Sequence, residues 1–555
     1  MSIIFSVGLS GLNAAQNALN TTSNNISNVY TPGYNRELTI LGQSRADAGV
    51  QVNAIQRQFN QFVASQLNAA TSVSSALKAY ENQISQIDNL LADREAGLAP
   101  LMQNFFSSLE DLAGAPSDPA ARQGLLGTAD TLTAQFRAFD SYMQDMQEGI
   151  NGQIKDEVTQ INNVTEQLAT LNREIALARA RSGEAPNSLL NQRDQLVAEL
   201  SERMDIRLDI QDGKSYNISL PNGQPLVSGT NHYRLEAMDA PNDPQRTVLG
   251  YRDSGGNLVA LPENTIKGGT LGGLMTFRAE TLDKTQNQIG QLAVSLTVGF
   301  NEQHRLGMDL NGEPGVDFFG IGQPQAYSHT RNTSGEEVTA ASFDAANIDK
   351  LRATDYTVRF AGGEPQVIRK DNGQAMPADE IDWDAGSSTL SFGGITLEFS
   401  GTPADGDRFE VQPVRRVAAN FESQISDLDK IAAAQPLNPE DDPADWIMSG
   451  TGDNRNALAL QDLQSKTLVG GRATISQAYA GIVSDVGNRT NIVKVNLDAR
   501  QGLTDQLKAV QQSESGVNLD EEAANLIRYQ QYYMANARVI DTASTLFDTI
   551  LGLRN

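Results

Sequence analysis

Residues 1–35 read MSIIFSVGLSGLNAAQNALNTTSNNISNVYTPGYN, and residues 518–547 read NLDEEAANLIRYQQYYMANARVIDTASTLF. In both stretches an apolar residue returns at every seventh position. In the first they are Phe5, Leu12, Leu19 and Ile26; in the second Leu519, Leu526, Tyr533, Ile540 and Phe547. A period of seven keeps one stripe of a helix turned toward a partner helix. Both ends are therefore predicted to be helices that pair with each other as a coiled coil. Asn518 is placed to cap the second helix, with Glu521 three residues on as in a capping box. Asp520, Glu521 and Glu522 put negative charge at the positive end of its dipole. Thr31, Pro32, Gly33 and Tyr34 end the first helix, because Pro and Gly both break it.

The first of these ends carries no charge. No Asp, Glu, Lys, Arg or His precedes Arg36, and seven Asn lie within the first 35 residues. The last 37 residues have a net charge of −2, so nearly all of the chain's net −26 lies between the ends. Buried unpaired charge is expensive, and a ring of like charges more so. A neutral segment of small residues (Gly8, Gly11, Ala14, Ala15, Ala18) suits repeated burial against copies of itself. The Asn content weakens the isolated helix. The termini are thus expected to be poorly ordered in the monomer and to become helical in an assembly.

Whole-chain composition narrows the function. The 555 residues include 42 Lys+Arg against 68 Asp+Glu and no cysteine. Disulfides and thiolate chemistry are excluded, and an acidic chain is a poor match for nucleic acid. Three histidines, His232, His304 and His329, never reach metal-ligand spacing. The N-terminus lacks the basic start and unbroken apolar core of a cleaved signal. No apolar run is long enough for a membrane span.

Between the ends the periodicity changes several times. Leu38 and Ile40, then Val50 and Val52, predict a small hairpin. A long helix begins near Phe59, with Val73, Leu77, Tyr80, Ile84, Ile87 and Leu91 in steps of four and three. Ile154 to Ile175 and Leu189 to Leu200 predict a helical hairpin broken at Ser182–Pro186. Period two takes over at Ile206, with turns at Asp212-Gly213 and Asn222-Gly223. Helix returns from Leu271 to Leu296. Tyr356–Phe360 and Thr396–Phe399 belong to a second β-rich stretch with turns at Asn372-Gly373 and Asp405-Gly406. Residues 416–432 read as helix, and 436–443 as an exposed Pro-rich loop. From Asn454 to about 514 the period is helical again.

The expected fold is mainly α with β insertions. A terminal coiled-coil unit (1–35 and 516–555) encloses a helical bundle (36–205, 269–325 and 416–515). That bundle carries β-rich insertions at 206–268 and 326–415.

A search for catalytic chemistry returns turns and solvated acids. There is no GxSxG elbow and no GxxxxGK[ST] phosphate loop. Gly268–Gly273 lacks the Lys-Ser/Thr of a phosphate site and reads as a turn into a helix. Asp379, Glu380, Asp382 and Asp384 around Trp383 are too close in sequence to straddle a substrate. Asp309–Glu313 places its glycine fourth, where a calcium loop needs it sixth. His304 reads as a surface or capping residue. No catalytic, metal or cofactor site is expected.

The terminal residues do carry a resemblance. Ser10–Ala15 through Ser23–Asn28 and Thr31–Tyr34 resemble the N-terminal motif of the bacterial flagellar rod, hook and hook-associated axial protein family. Gly49–Val52 with Ile55, Arg57 and Phe62 resembles its next segment, and Ser515–Glu522 through Ala535–Ala537 and Ile540 its C-terminal partner. Asn301–His304 with Gly307, Asp309–Gly312 and Asp317–Phe319 favour the hook-associated branch. So do Gly452–Asn454 with Asn456–Leu458, and Ala478-Tyr479 with Val486-Gly487.

The resemblance implies a structural, non-enzymatic subunit that assembles on the hook tip and forms the hook–filament junction. It implies unfolded export through the flagellar type III apparatus to the extracellular flagellum, after a cytoplasmic stage. Its implied partners are copies of itself, hook protein, a second junction protein and an export chaperone. The chaperone would bind the amphipathic helix at about 519–551. Two other readings compete: a secreted filament-capping or adhesin-like coiled-coil protein, and a rod-type peptidoglycan hydrolase. The hydrolase needs a paired Glu/Asp site for which no convincing residues are present.

Overall fold

Ten α-helices carry the architecture in a computed structural model that describes residues 2–44, 49–93, 97–211 and 215–552. They are α1 (Ser2–Ser27), α2 (Gln61–Leu91), α3 (Leu98–Gly114), α4 (Pro119–Ser182) and α5 (Asn187–Arg203), then α6 (Gly269–Phe277), α7 (Asp283–Arg305), α8 (Arg455–Asp462), α9 (Ile475–Ser515) and α10 (Leu519–Gly552). Local chemistry sets their limits. The Asn60 side chain accepts from the N–H groups of Phe62 and Val63 to open α2. Asp118 caps α4, with Pro119 at its first position. Gly183, at φ 83°, closes α4 in the left-handed conformation after 64 residues, a rod of about 96 Å. Thr474 and Gln477 form a reciprocal capping box on α9.

α2 runs antiparallel to α9. Asn60 meets Glu514 at 2.7 Å, Ser74 meets Gln501 at 2.9 Å, and the Tyr479 hydroxyl donates to the Leu91 carbonyl at 2.9 Å. The core of the helical body lies between α3, α4 and α7. Phe105, Phe300, Phe318, Phe319 and Phe421 are all fully buried there, with neighbouring ring centroids 4.7–5.7 Å apart. The predicted hairpin forms between Glu37–Gln43 and Val50–Arg57, antiparallel.

The first β insertion is two small sheets. One has four strands (Arg207–Ile210, Tyr216–Ser219, Pro225–Ser228, Asn231–His232), the other three (Leu235–Ala240, Asp243–Arg252, Leu258–Ala260). Two buried asparagines of α4 hold them. Asn172 donates to the carbonyls of Tyr216 and Gly229, both at 2.8 Å, and Asn162 exchanges two bonds with the backbone of Leu235. The Asn222-Gly223 turn is present, with Gly223 N–H donating to Leu220 at 2.9 Å. The Asp212-Gly213 turn lies outside the described residues.

The second insertion packs two four-stranded antiparallel sheets over Val358, Phe360, Leu390, Leu397, Phe409 and Val411. Trp383 packs edge-on against Phe360 and Phe399, and its acidic neighbours Asp382 and Asp384 are exposed. The Asp309 carboxylate accepts from the N–H groups of Asn311 and Glu313, so that segment is a turn.

Two expectations are corrected. Residues 416–432 form an extended strap, with 3₁₀ turns at Val417–Asn420 and Leu428–Lys430 and a short strand at Glu422–Ser423 paired with Phe319–Gly320. Its carbonyls are taken by other elements. Arg137 donates to Phe421, and Arg122 to Leu428 and Ile431 at 2.7 and 3.0 Å, so a helix has nothing to gain there. His304 is fully buried rather than at the surface. Its Nδ1 donates to the Val316 carbonyl at 2.6 Å, and its Nε2 accepts from Ala432 N–H at 2.9 Å. Burial holds its pKa down at about 4. The terminal segments are also helical in the single chain.

Candidate assembly interface

α1 and α10 lie side by side and antiparallel. Asn25 meets Glu522, Gly11 faces Asn536, and Gly8 faces Ile540. The seam is made of small residues. Gly8, Gly11, Ala15, Ala18, Thr22 and Asn25 are all buried and follow steps of three and four. A Cβ on Gly11 would overlap the Asn536 amide, and one on Gly8 would lie 2.9 Å from the Ile540 side chain. Glycine at these positions is what lets the two helices approach.

The predicted apolar stripe sits beside this seam. Phe5 is 49% exposed, while Leu12, Leu19 and Ile26 are half-buried. On α10, Leu519, Tyr533 and Phe547 are exposed, and Leu526 and Ile540 are half-buried. Among the described residues of α10 only Glu522 and Ala543 are buried. Four seam residues, Gly8, Gly11, Ala15 and Ala18, belong to the small-residue set that the sequence marks for burial; the 3-4 spacing that extends them to Thr22 and Asn25 is the further signal.

The start of α10 is pinned by the first charge in the chain. Arg36 reaches Glu522 through Nε and Glu521 through Nη1, both at 2.7 Å, and its N–H donates to the Ser515 carbonyl at 2.8 Å. Glu522 is 1% exposed, and its second oxygen accepts from the Asn25 amide at 3.1 Å. The same amide donates to the Glu37 carbonyl at 2.9 Å. The Asn25 oxygen accepts from Glu37 N–H and from the Tyr34 hydroxyl at 3.0 and 2.8 Å. Burial, with Glu37 and Glu522 nearby, raises the pKa of Tyr34 well above its ordinary value, so it stays a neutral donor.

The Thr31–Tyr34 turn docks this unit on the helical body. Tyr34 N–H donates to the Thr31 carbonyl at 3.2 Å. Thr31 and Pro32 are exposed. Gly33 takes φ +75° and lies against Gln195 of α5. Next to it, Asn35 donates to Asn191 of α5 at 2.8 Å, and Arg57 of the hairpin pairs with Asp194 at 2.6 Å.

What this geometry leaves open is apolar area. Ile3, Phe5 and Leu9 of α1 and Ile527, Met534 and Phe547 of α10 are each 44–64% exposed. On α1 the exposed apolar residues lie in the first turns, whereas on α10 they recur from Leu519 to Leu551; large exposed apolar surface is typical of interaction sites. Among the described residues no group of His, Asp or Glu could hold a metal ion, and no helix is long and apolar enough to cross a membrane.

Known proteins match along the whole chain. Residues 84–319 match the flagellar hook-associated protein FlgK helical domain, and 327–413 the D2-like domain of flagellar hook-associated protein 1. Residues 5–35 match the flagella basal body rod protein family, and 511–553 the C-terminal part of flagellar basal body rod FlgEFG proteins. Flagellar hook-associated protein 1 of Escherichia coli K12 is 41% identical over 564 residues, covering all of both chains. Its counterpart in Salmonella typhimurium LT2 is 40% identical over 563 residues, again covering all of both. The solved structure of the flagellar hook junction protein FlgK from Burkholderia pseudomallei superposes with a TM-score of 0.74 at 28% identity, over 81% of this chain and 99% of that one. With relatives this similar from end to end, and with its paired terminal helices and β insertions, the chain belongs to the flagellar hook-associated protein 1 family.

Proposed function

We propose that the chain is a structural subunit that assembles on the tip of the flagellar hook and joins hook to filament. The observation that carries this reading is the state of α10: 34 residues long, with its apolar side chains exposed along most of its length. Copies of the chain, with hook protein below and a second junction protein above, would cover that surface. Residues 1–35 and 516–555 would form the inner tube, with the stripes Phe5–Leu12–Leu19–Ile26 and Leu519–Leu526–Tyr533–Ile540–Phe547 as its contacts. Residues 36–205, 269–325 and 416–515 form the surrounding shell, and 206–268 and 326–415 the outer parts. Before export a cytoplasmic chaperone shields α10, and the chain then passes unfolded through the type III apparatus to the cell exterior. The subunit has no catalytic role.

Deletion of residues 519–555 tests the reading in cells lacking the wild-type chain. Hooks without filaments are expected. Filaments growing normally on those hooks would overturn it.

A further inference from the structure

The outer β unit joins the helical body where its last strand, Arg408–Gln412, leads into Arg415 and Arg416. Arg415 is buried and serves three separate parts of the chain. Its guanidinium pairs with Asp355 of the outer unit, with Asp283 at the start of α7 at 3.4 Å, and with Asp243 of the first β insertion at 3.8 Å. Arg416 turns to α4 and pairs with Asp140 at 2.9 Å.

The surrounding charges close into one cluster. Arg246 of the first insertion donates to both oxygens of Glu263, at 2.6 and 2.8 Å, and to Asp283 at 2.7 Å. Arg278, fully buried, reaches Glu263 and Asn151 of α4, each at 3.1 Å. Gln412 donates to Asp243 at 2.9 Å, Asn287 of α7 donates to Asp355 at 3.1 Å, and Lys370 pairs with Glu410. The turn between two strands of the first insertion touches the outer unit directly. Asn242 donates to Glu410 at 3.0 Å, and Thr330 N–H to the Pro241 carbonyl at 2.8 Å.

A backbone irregularity serves the same cluster. Residues Arg278–Leu282 form a π-turn in which Asp283 N–H bonds to the Arg278 carbonyl, five residues back. That spacing brings the Arg278 and Asp283 side chains to one side of the helix. Burial alone would raise Glu263, but Arg246 and Arg278 outweigh it and hold it at about 2.

Buried ions are a poor source of stability compared with apolar packing of similar volume. What they impose is geometry. An apolar contact is non-directional and tolerates sliding, whereas any shift of this joint would leave a buried charge unpaired.

We propose that the first β insertion is a bracket that fixes the angle of the outer β unit on the helical body, with Arg415 as the shared pivot. The bracket acts through the ion cluster at its base and the Pro241-Asn242 turn at its tip. It requires no partner and is independent of where the chain assembles.

The absence of cysteine from the chain makes the test direct. Cysteines introduced at exposed Glu148 of α4 and exposed Asp382 of the outer unit carry spin labels. Double electron–electron resonance on the full chain then reads the distance between the two units. The otherwise unaltered chain should give one narrow distribution. Arg415→Met should broaden it by about twofold with unchanged far-ultraviolet circular dichroism, as a freed hinge would. If Arg415→Met fails to fold, Asn242→Asp, which sets a second carboxylate against Glu410 at the tip, is the readout and should also broaden it. A folded variant of either kind that keeps the narrow distribution would overturn the bracket.

Discussion

α3 and α10 are both helices with apolar residues at helical spacing, and they end in opposite states. α3, with 17 residues, buries Leu98, Met102, Phe105, Phe106, Leu109 and Leu112. α10, twice as long, buries Glu522 and Ala543 among its described residues. The partners of α3 are α4, α8 and α9, with Phe300 of α7 against Phe105, all within the same chain, so its apolar residues are already core. The small seam on α1 covers only one narrow side of α10, so its large apolar residues remain outside. Apolar periodicity reports that a helix has a partner, not whether that partner is in the same chain.

Mutations should separate the two states. Phe105→Ala removes a fully buried ring from the aromatic core and should cost about 3–5 kcal/mol, read as a lowered urea midpoint of the isolated chain. An unchanged midpoint would erase the distinction between the two helices.

Acid should act on the body in the same direction. His304 is held neutral, with a folded pKa of about 4 against an ordinary 6.5. The unfolded chain therefore binds the proton first, and stability falls as pH drops from 6.5 through 4. The loss approaches about 3 kcal/mol once both states are protonated. Urea midpoints across that range should fall, and His304→Gln should flatten this part of the profile.

At the terminal pair the effects should be local. Glu522→Gln weakens the link to Arg36 by about 1.5 kcal/mol. It should speed hydrogen exchange in α1 and leave the urea midpoint of the body unchanged. Coupled loss of both would show that the ends and the body form one cooperative unit. Smallest in the monomer should be Phe547→Ala, within about 0.5 kcal/mol, since the ring is 54% exposed. The same variant should reduce filament growth in cells, and normal growth would show that the exposed face of α10 is not used.

Much of this was legible in the sequence where contacts are local. The hairpin at 37–57, the breaks at Pro32-Gly33 and Gly183, and the change of period at Ile206 all depend on neighbouring residues. The strap at 416–432 was misread because Val417, Phe421, Ile425 and Ile431 lie at near-helical spacing. They are buried by α4 and α7, and Arg122 and Arg137 take the carbonyls a helix would have used. His304 was misread for the same reason: its partners, Val316 and Ala432, come from two distant segments. The site was half legible. The heptad of large residues was visible, but the seam that brings α1 to α10 is a heptad of Gly, Ala, Thr and Asn. A hydrophobic pattern does not weight those residues. The Arg415 cluster had no sequence signal, since its charged members span residues 243 to 415 with no fixed spacing.

The clamp between Asn25, Arg36 and Glu522 also has a meaning in time. Asn25 and Glu522 are 497 positions apart, so their contact is among the most non-local in the molecule. α1 is made before α10, with the other eight described helices between them. Contacts across such separations form late, after local structure has shortened the path between their ends. Here that path is α2 against α9, which brings Asn60 beside Glu514 and so delivers residue 36 to residue 515. The body must therefore fold before the ends can meet. Until then α1 is an unpaired segment, and its neutral, Asn-rich sequence, free of any long apolar run, is one that can wait without collapsing on the wrong surface.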